Sequence, residues 1–161
     1  MILVTGATGF VGRSVLKALM SKGRRVRVLA HTKSGAAALS SHDVELLRGD
    51  VLDPPSLSRA CEGVEAVIHL VAVVRERRDL GFRRVNYEGT RNILQAATAA
   101  GVGRFIHAST LGTSSNPAIP YLYSRWMAEQ EVERAPMPHT IVRFSVGFGE
   151  GDEFFNVLAA L

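Results

Sequence analysis

Two hydroxyl side chains, a tyrosine and an arginine in the second half of the chain have a spacing that suits proton transfer. Ser109 and Thr110 end an apolar run, and Tyr121 and Arg125 follow about ten residues later, four positions apart. Residues four apart share one face of a helix. Because a fixed positive charge stabilises a phenolate, Tyr121 is a candidate general base, and the hydroxyl of Thr110 could hold a substrate oxygen. A tyrosine on an amphipathic helix beside a surface arginine is the alternative.

A glycine-rich turn near the start of the chain is the second candidate site. Gly6, Gly9 and Gly12 have the spacing G-x-x-G-x-x-G directly behind an apolar run. This pattern predicts a strand, a tight turn and a helix start, where backbone N–H groups can approach a pyrophosphate. Ala7 and Arg13 stand where the phosphate loop of NTPases needs a glycine and a lysine, so that class is excluded. A tight turn without a ligand is the alternative.

The residues after the second apolar run bear on which dinucleotide would bind. In an open parallel sheet, ligands lie outside the carboxyl ends of the strands. His31 and Lys33 follow this run, and no carboxylate accompanies them. The missing carboxylate, with Lys33 and Arg13 nearby, removes repulsion toward a 2′-phosphate and favours NADP. NAD bound beside ordinary loop residues is the alternative.

The third and fourth apolar runs end in residues suited to an adenosine. Asp50 and Val51 follow the third run, and they could accept a hydrogen bond from the adenine amino group and pack on its ring. A turn-forming role of Asp50 is the alternative. Leu70, Val71 and Ala72 follow the fourth run, and their small or apolar side chains let backbone approach a ribose.

Six apolar runs alternating with helical patterns supply the elements that would position these residues. Strands are predicted at 2–5, 25–30, 44–48, 66–70, 104–108 and 139–143. Helices are predicted at 11–21, 54–61 (with Asp53 as N-cap), 84–100 and 123–134, and the stretch 34–41 is predicted as a loop or short mobile helix. Several strands are apolar throughout, which is typical of parallel strands covered on both faces. We therefore predict an α/β fold of three layers, a doubly wound parallel sheet with helices on both faces.

Composition limits the classes of function. The chain has 161 residues, 47% of them hydrophobic, which indicates one globular domain rather than disorder. The net charge of +4 suits an anionic ligand, but the basic residues are dispersed except at Arg75, Arg77, Arg78, Arg83 and Arg84. We expect this cluster to be a solvated face, or else to meet an acidic substrate or partner, and we expect no nucleic acid.

Cysteine usage and hydropathy bear on location. Cys61 is the only cysteine, which excludes an intrachain disulfide and a cysteine metal site and fits a reducing compartment, so we expect a cytoplasmic location. No apolar run approaches the roughly 18 residues of a membrane span. Because the chain starts directly with a strand pattern, we expect no signal peptide.

Taken together, the motifs resemble those of the extended or atypical short-chain dehydrogenases/reductases, the NAD-dependent epimerase/dehydratase family. They are Thr5-Gly6-Ala7-Thr8-Gly9-Phe10-Val11-Gly12, Gly49-Asp50-Val51, Val67-Ile68-His69-Leu70, Asn86-Tyr87-Glu88-Gly89-Thr90-Arg91-Asn92, Ser109-Thr110 and Tyr121-Leu122-Tyr123-Ser124-Arg125. Their order and spacing match from Met1 to about Gly149. Residues 66–78 and 109–112 are most similar to the subgroup that includes the nucleotide-binding accessory subunit of respiratory complex I.

The resemblance implies a Rossmann fold that binds NADP or NAD and transfers hydride at a sugar-like or other secondary alcohol. It implies that Asn86 lies near the active site, that Thr110 orients the substrate and that Tyr121 is the acid/base. The expected cofactor-binding residues are Gly6, Thr8, Gly9, Phe10, Val11, Gly12, His31, Asp50, Val51, Leu70, Val71, Ala72, Tyr121 and Arg125. No metal is expected. The resemblance also implies a homodimer that pairs through the helices flanking Asn86 and Tyr123.

Two departures from the family pattern bear on catalysis. The resemblance implies a lysine at position 125 that lowers the tyrosine pKa and holds the nicotinamide ribose. Arg125 stands there instead, and a guanidinium is planar, bulkier and permanently protonated. These proteins also carry a further substrate-binding portion after the sixth strand, so we expect residues 1–161 to be an NAD(P)-binding domain that lacks it. A non-catalytic dinucleotide-binding sensor, scaffold or assembly module is therefore the alternative to an enzyme.

Overall fold

Within the described residues, the chain forms six parallel strands between two layers of helices. The computed structural model describes residues 1–40, 42–76 and 80–149. In chain order, the strands are β1 (Ile2–Thr5), β2 (Val26–Ala30), β3 (Glu45–Arg48), β4 (Ala66–His69), β5 (Arg104–Thr110) and β6 (His139–Phe144). The helices are α1 (Phe10–Ser21), α2 (Lys33–Leu39), α3 (Pro54–Cys61), α4 (Gly89–Ala99) and α5 (Pro120–Glu133), with a π-helical segment (Arg83–Glu88) leading into α4. The predicted three-layer Rossmann fold is confirmed.

The strand order creates a crevice beside β1. The order is β3-β2-β1-β4-β5-β6, so the chain leaves β3 at one edge and returns through α3 to pair β4 with β1. In the register of the sheet, Val4 lies between Val28 of β2 and Ile68 of β4. The direction of winding reverses between β1 and β4, and ligands of such sheets bind where the connections diverge.

The core lies on both faces of the sheet because successive strand residues alternate sides. Leu3 belongs to one cluster with Ile93 of α4 and Phe105 of β5, whereas Val4 belongs to the other with Leu16 of α1. Leu16 is 1% exposed, and the other four side chains are fully buried. This alternation confirms the interpretation of the apolar runs as strands covered on both faces. Within the described residues, the structure contains no helix that is long and apolar enough to cross a membrane.

The ends of β5 and α5 differ from the sequence prediction. The strand β5 continues past Ala108 because its ladder with β6 extends to Thr110, which pairs with Phe144. The hydroxyls of Ser109 and Thr110 therefore lie within a strand rather than after it. The helix α5 begins at Pro120, since proline suits the first helical turn, and this places Tyr121 in that turn rather than ahead of it.

The predicted helix at 84–100 consists of two parts. It starts as a π-helical segment that buries Asn86 and becomes α-helical at Gly89. The close approach of the chain after β3 requires a glycine here, because a Cβ at Gly89 would lie 2.8 Å from Cγ2 of Val51. Wide π turns of this kind often occur at functional sites.

Two short segments also refine the sequence prediction. Within the stretch 34–41, the residues up to Leu39 belong to the short helix α2, which Thr32 caps by accepting the Gly35 N–H at 3.0 Å. Ser41 lies outside the described residues. Asp53 precedes α3 as predicted, but its carboxylate makes no cap hydrogen bond. The hydroxyl of Ser56 instead donates to the Asp53 carbonyl oxygen at 2.8 Å.

A buried carboxylate fastens α5 to the edge strand β6. Glu129 is 1% exposed, and Arg143 donates to both of its oxygens, at 2.9 and 2.8 Å. The hydroxyl of Thr113 donates at 3.3 Å. Burial raises the pKa of Glu129, but the hydrogen bonds from Arg143 and Thr113 and the charge of Arg143 outweigh burial and lower it. The carboxylate is therefore ionised in the folded protein.

We predict that Glu129→Gln lowers the free energy of unfolding at pH 7 by about 2 kcal/mol, a modest value because Arg143 is half exposed. The folded-state pKa of Glu129 is lowered, so its stabilisation is complete above the ordinary value of 4.5 and is lost as the pH falls through the lowered value. The difference between variant and wild type should therefore shrink in acid. Urea denaturation at several pH values measures it.

The matched control is Glu133→Gln, the same change at an exposed position of the same helix. We expect this control to alter the free energy of unfolding by less than about 0.5 kcal/mol. Equal losses in the two variants would contradict a specific contribution of the Glu129 contacts.

Candidate functional site

A cleft of about 280 Å³ opens at the carboxyl ends of the central strands. Most of the residues expected to hold a cofactor line it, namely Gly6, Thr8, Gly9, His31, Asp50, Val51, Leu70, Val71 and Ala72. The sequence analysis did not assign its other lining residues to the cofactor, although Gly49 belongs to one of the family motifs; they are Leu29, Gly49, Leu52, Val73, Leu80 and Val85. Several of these are next to predicted residues at strand ends, so a wider window after each strand would have found them.

Two glycines of the first turn are required by the fold itself. Gly6 has a φ of +78°, and a Cβ on it would lie 2.9 Å from the carbonyl carbon of Leu70 and from the nitrogen of Val71. A Cβ on Gly12 would lie 2.6 Å from Cα of Ala7. These distances leave no space for a methyl group, so both glycines serve packing between backbone segments.

Gly9 differs because the protein leaves room beside it. A Cβ on Gly9 would meet a single neighbour within 4 Å, the carbonyl oxygen of Gly6 at 3.4 Å, which is an ordinary contact. Gly9 is also the N-cap of α1 and a wall of the cleft. Its lack of a side chain therefore opens the N-terminus of a twelve-residue helix toward the cleft. Such a helix end favours a negatively charged group.

Phe10 and Val11 begin α1 behind this wall. The ring of Phe10 faces the segment after β6, where a Cβ on Gly147 would lie 3.1 Å from its Cε1. Neither Phe10 nor Val11 lines the cleft. Their backbone nevertheless belongs to the helix N-terminus that faces it.

A side-chain contact joins the ends of β2 and β3 at the rim of the cleft. Nδ1 of His31 lies 3.1 Å from Oδ2 of Asp50. The other carboxylate oxygen of Asp50 accepts the N–H of Leu52 at 2.9 Å, which forms the turn after β3. Asp50 therefore forms the turn, as the alternative interpretation proposed, and its other carboxylate oxygen faces His31.

Asn86 connects the cleft wall to α5. Its side chain is fully buried, accepts the N–H of Val73 at 2.8 Å and donates to the carbonyl oxygen of Val73 at 3.1 Å. It also donates to Ser124 at 3.1 Å, and the Ser124 hydroxyl donates to the carbonyl oxygen of Tyr121 at 2.7 Å. Asn86 thus holds the segment after β4 against the first turn of α5.

Tyr121 and Thr110 lie beside the cleft rather than in its lining. The ring of Tyr121 packs edge-on against Phe82, with centroids 5.4 Å apart. The hydroxyl of Thr110 lies 3.4 Å from the carbonyl oxygens of both Leu111 and Phe144, distances that are long for a hydrogen bond. The structure brings both residues to the carboxyl side of the sheet, with Tyr121 joined through Ser124 to Asn86.

Arg125 points into the protein. Its side chain is 2% exposed, and Nη2 donates to the carbonyl oxygen of Ala108 in β5. Nε and Nη1 are buried without a hydrogen-bond partner. Burial lowers the pKa of Arg125, while the charges of Tyr121 and Glu129 act in the opposite direction. The alternative of a surface arginine beside Tyr121 is therefore wrong, because the guanidinium is a buried cation against the sheet.

Two histidines form a neutral layer beneath this cation. The rings of His69 and His107 stack with centroids 5.6 Å apart, and both are fully buried. Burial and the charge of Arg125 lower the pKa of His69 to about 3. Its ring nitrogens contact the hydroxyls of Thr5 at 2.7 Å and Thr90 at 3.1 Å. These contacts tie β1 and α4 to the centre of the sheet.

The structure describes part of the basic cluster that the sequence analysis identified. Arg83 lies over the ring of Tyr87, 5.8 Å from its centroid, and pairs with Glu88 at 3.6 Å, as a solvated face would. Arg77 and Arg78 lie outside the described residues.

In the part of the chain that the structure describes, no three or more His, Cys, Asp or Glu side chains are grouped to hold a metal.

Known proteins share this fold and this sequence pattern. The chain is 36% identical over 151 residues to the ceramide reductase of Caulobacter vibrioides, and the aligned region covers 94% of the chain and 47% of the reductase. It is 29% identical over 150 residues to the photosystem II assembly factor Ycf39 of Synechocystis, covering 93% of the chain and 45% of that factor. The chain thus spans about half the length of these curated relatives.

A solved structure provides the corresponding comparison of folds. It is a short-chain dehydrogenase/reductase superfamily protein from Agrobacterium tumefaciens with bound NAD, 34% identical, with a TM-score of 0.79 over 98% of this chain and 54% of that one. A sequence profile named for the NAD dependent epimerase/dehydratase family matches residues 2–158. The resemblance is therefore confirmed at the level of the family, while the closer likeness to a complex I accessory subunit stays a prediction. The chain belongs to the NAD dependent epimerase/dehydratase family.

Proposed function

We propose that this chain is the dinucleotide-binding domain of an NAD(P)-dependent oxidoreductase that acts on a secondary alcohol or the matching carbonyl. The cleft between the glycine turn and the segment after β4 is the observation that carries this proposal. The cofactor class of the family is a nicotinamide dinucleotide. When bound, this cofactor supplies or accepts the hydride.

The cleft supports this assignment by its shape and its walls. Gly9 leaves the N-terminus of α1 open where a pyrophosphate would lie. Asp50 and Val51 would face an adenosine and Leu70 to Ala72 a ribose, since all five residues line the cleft. Phe10, Val11 and Gly12 would support the same phosphates through the backbone of the first helical turn.

Tyr121 and Thr110 would perform the proton chemistry. Tyr121 would move the proton of the substrate hydroxyl as acid or base, and Thr110 would orient the substrate oxygen. Asn86 acts at a distance, because its hydrogen bonds fix Val73 and, through Ser124, the backbone of Tyr121. Arg125 would favour the phenolate through its charge, although its guanidinium contacts Ala108 rather than a ribose.

The substrate class and the location are finer proposals. The sequence suggests a sugar-like or other secondary alcohol, and a relative named as a ceramide reductase favours an apolar alcohol or ketone within that class. Residues outside this chain would shape the substrate pocket in a protein of its relatives' length. A preference for NADP, a cytoplasmic location and a homodimer stay predictions.

A non-catalytic module is the second candidate function. The buried position of Arg125 favours it, because the family's lysine is expected to hold the nicotinamide ribose and the buried guanidinium of Arg125 is not in the lining of the cleft. The Ycf39 relatives are named as assembly factors, and the predicted likeness to a complex I accessory subunit points the same way. In this case the domain binds the dinucleotide as a sensor, scaffold or assembly subunit.

We predict that the full chain binds NADPH and NADH and that Gly9→Ala weakens both by at least about tenfold, because a methyl group would occupy the space beside the helix N-terminus. The free energy of unfolding should stay within about 1 kcal/mol of wild type. Nucleotide fluorescence titration and urea denaturation measure the two quantities.

The matched control is Gly103→Ala. Its added Cβ would also meet one carbonyl oxygen at 3.4 Å, that of Glu65, but at the opposite end of the sheet. We expect this variant to bind both dinucleotides normally. Wild-type protein that binds neither dinucleotide would refute the proposed function, and normal binding by Gly9→Ala would refute the assigned pyrophosphate site.

We also predict that Tyr121→Phe lowers the rate of NAD(P)H oxidation with a panel of aliphatic and steroid ketones about 100-fold or more, since the proton donor is lost. Dinucleotide affinity should fall far less than the rate, because Tyr121 lies outside the lining of the cleft. Tyr123→Phe is the matched control, because this tyrosine stacks on Trp126 instead, with centroids 5.8 Å apart.

Arg125→Lys distinguishes the two candidate functions in the same assay. A gain in turnover in Arg125→Lys would favour a degraded catalytic site. Normal dinucleotide binding with no turnover in any variant would favour the module.

A further inference from the structure

A second concave surface lies between the helices α1 and α2, and we call it the α1/α2 groove. Its volume is about 370 Å³, within the range of about 300–1,000 Å³ that is typical of small-molecule sites. Leu16 and Leu39 are 1% and 3% exposed and form its floor, one from each helix. The half-buried Met20 continues this apolar surface along α1.

Basic side chains form the rim of the α1/α2 groove. Arg13 and Lys17 line it, are exposed and stand four positions apart, which places them on one face of α1. His42 lines it from the side of α2 and is also exposed. Among the described residues that line the groove, none is acidic. Asp43, which follows His42, lines a different cavity that includes the start of β2.

The α1/α2 groove is separate from the dinucleotide cleft. Thr8 lines both of them, and no other residue of the groove's described lining belongs to the lining of the cleft. The start of α2 approaches Thr8 closely, because a Cβ on Gly35 would lie 3.1 Å from Cγ2 of Thr8. Thr8 is therefore the wall between two compartments of different composition.

An apolar floor under a cationic rim favours a ligand that has an apolar body and an anionic head. Each methylene group that leaves water strengthens binding by up to about fourfold. Lysine and arginine form charge-assisted hydrogen bonds with a carboxylate. The α1 side of the groove, from Arg13 to Met20, extends about 10 Å at 1.5 Å per residue, so an alkyl chain of medium length matches it better than a small ion does.

We propose that the α1/α2 groove binds a free medium-chain carboxylate. The alkyl chain lies along Leu16, Met20 and Leu39, and the carboxylate group lies at the rim with Arg13 and Lys17. This site goes beyond the proposed oxidoreductase function and does not depend on it. The bound carboxylate takes no part in hydride transfer.

The test is a calorimetric titration of the full chain with decanoate at pH 7. Hexanoate is shorter by four methylene groups, and we expect it to bind at least about tenfold more weakly because less apolar surface leaves water. Decanol has the same chain without the charge, and we expect it to bind at least about threefold more weakly. Equal affinities for decanoate and decanol would contradict a role of the basic rim.

Two pairs of variants locate the site. Ala38→Glu introduces an anion into the groove at an exposed position, and decanoate affinity should fall at least about tenfold. Ala37→Glu is the matched control, because it places the same side chain at the exposed neighbouring position outside the lining. Lys17→Gln should weaken decanoate about threefold through the loss of one charge at the rim. Its matched control is Lys22→Gln, at the exposed C-cap of α1.

The outcomes separate this site from the proposed dinucleotide function. Decanoate binding that Ala38→Glu weakens and Ala37→Glu retains, and that saturating NADPH changes by less than about twofold, would support the proposal. Equal binding by these two variants would overturn it, as would no binding of decanoate by wild type. Loss of decanoate binding on addition of NADPH would assign the groove to the dinucleotide site instead.

A membrane surface is the other source of apolar chains with anionic heads. Binding of the full chain to phosphatidylglycerol vesicles without binding of free decanoate would overturn the proposal in favour of a lipid surface. Failure of wild-type protein to bind NADPH would refute the proposed function and leave the α1/α2 groove unaffected.

Discussion

The close approach of two backbone segments at the carboxyl ends of β1 and β4 is the constraint on which the site depends. Gly6 turns with a positive φ directly against Leu70 and Val71, where a Cβ would come within 2.9 Å. This contact lets the chain after β1 reach the start of α1 while the chain after β4 passes beside it. The cleft lies where the two segments then diverge, as expected at the point where a doubly wound sheet reverses its direction.

The helix α5 joins this cleft to the rest of the domain through buried polar groups. Asn86 couples Val73 at the cleft to Ser124 and so to Tyr121 in the first turn of α5. Further along the helix, Arg125 contacts β5 and Glu129 contacts β6. Buried polar groups hold fixed geometry because losing a partner is costly. The first turn of α5 is thereby held in a fixed position beside the cleft.

The departure at Arg125 shows how burial changes the meaning of a residue. A lysine is a flexible point charge, whereas a guanidinium is weakly hydrated and suited to buried contacts. Arg125 uses that property to reach the Ala108 carbonyl oxygen, above two histidines that burial keeps neutral. Its charge stays close to Tyr121, but its hydrogen bonds are directed toward the sheet. The family's lysine is expected to supply both a positive charge near the tyrosine and a contact to the nicotinamide ribose. In this domain Arg125 supplies the charge, but its hydrogen bond is to Ala108.

Periodicity and glycine spacing by themselves determined the sheet, its helices and the glycine turn, because apolar runs and turn residues act locally along the chain. The same local signals also placed Asp50 and Leu70 at strand ends. Only the tertiary structure decided that Asp50 pairs with His31, that Asn86 binds Val73 and Ser124, and that Arg125 is buried. These contacts join residues far apart in sequence, and their geometry depends on the register and packing of several elements, which no local pattern encodes.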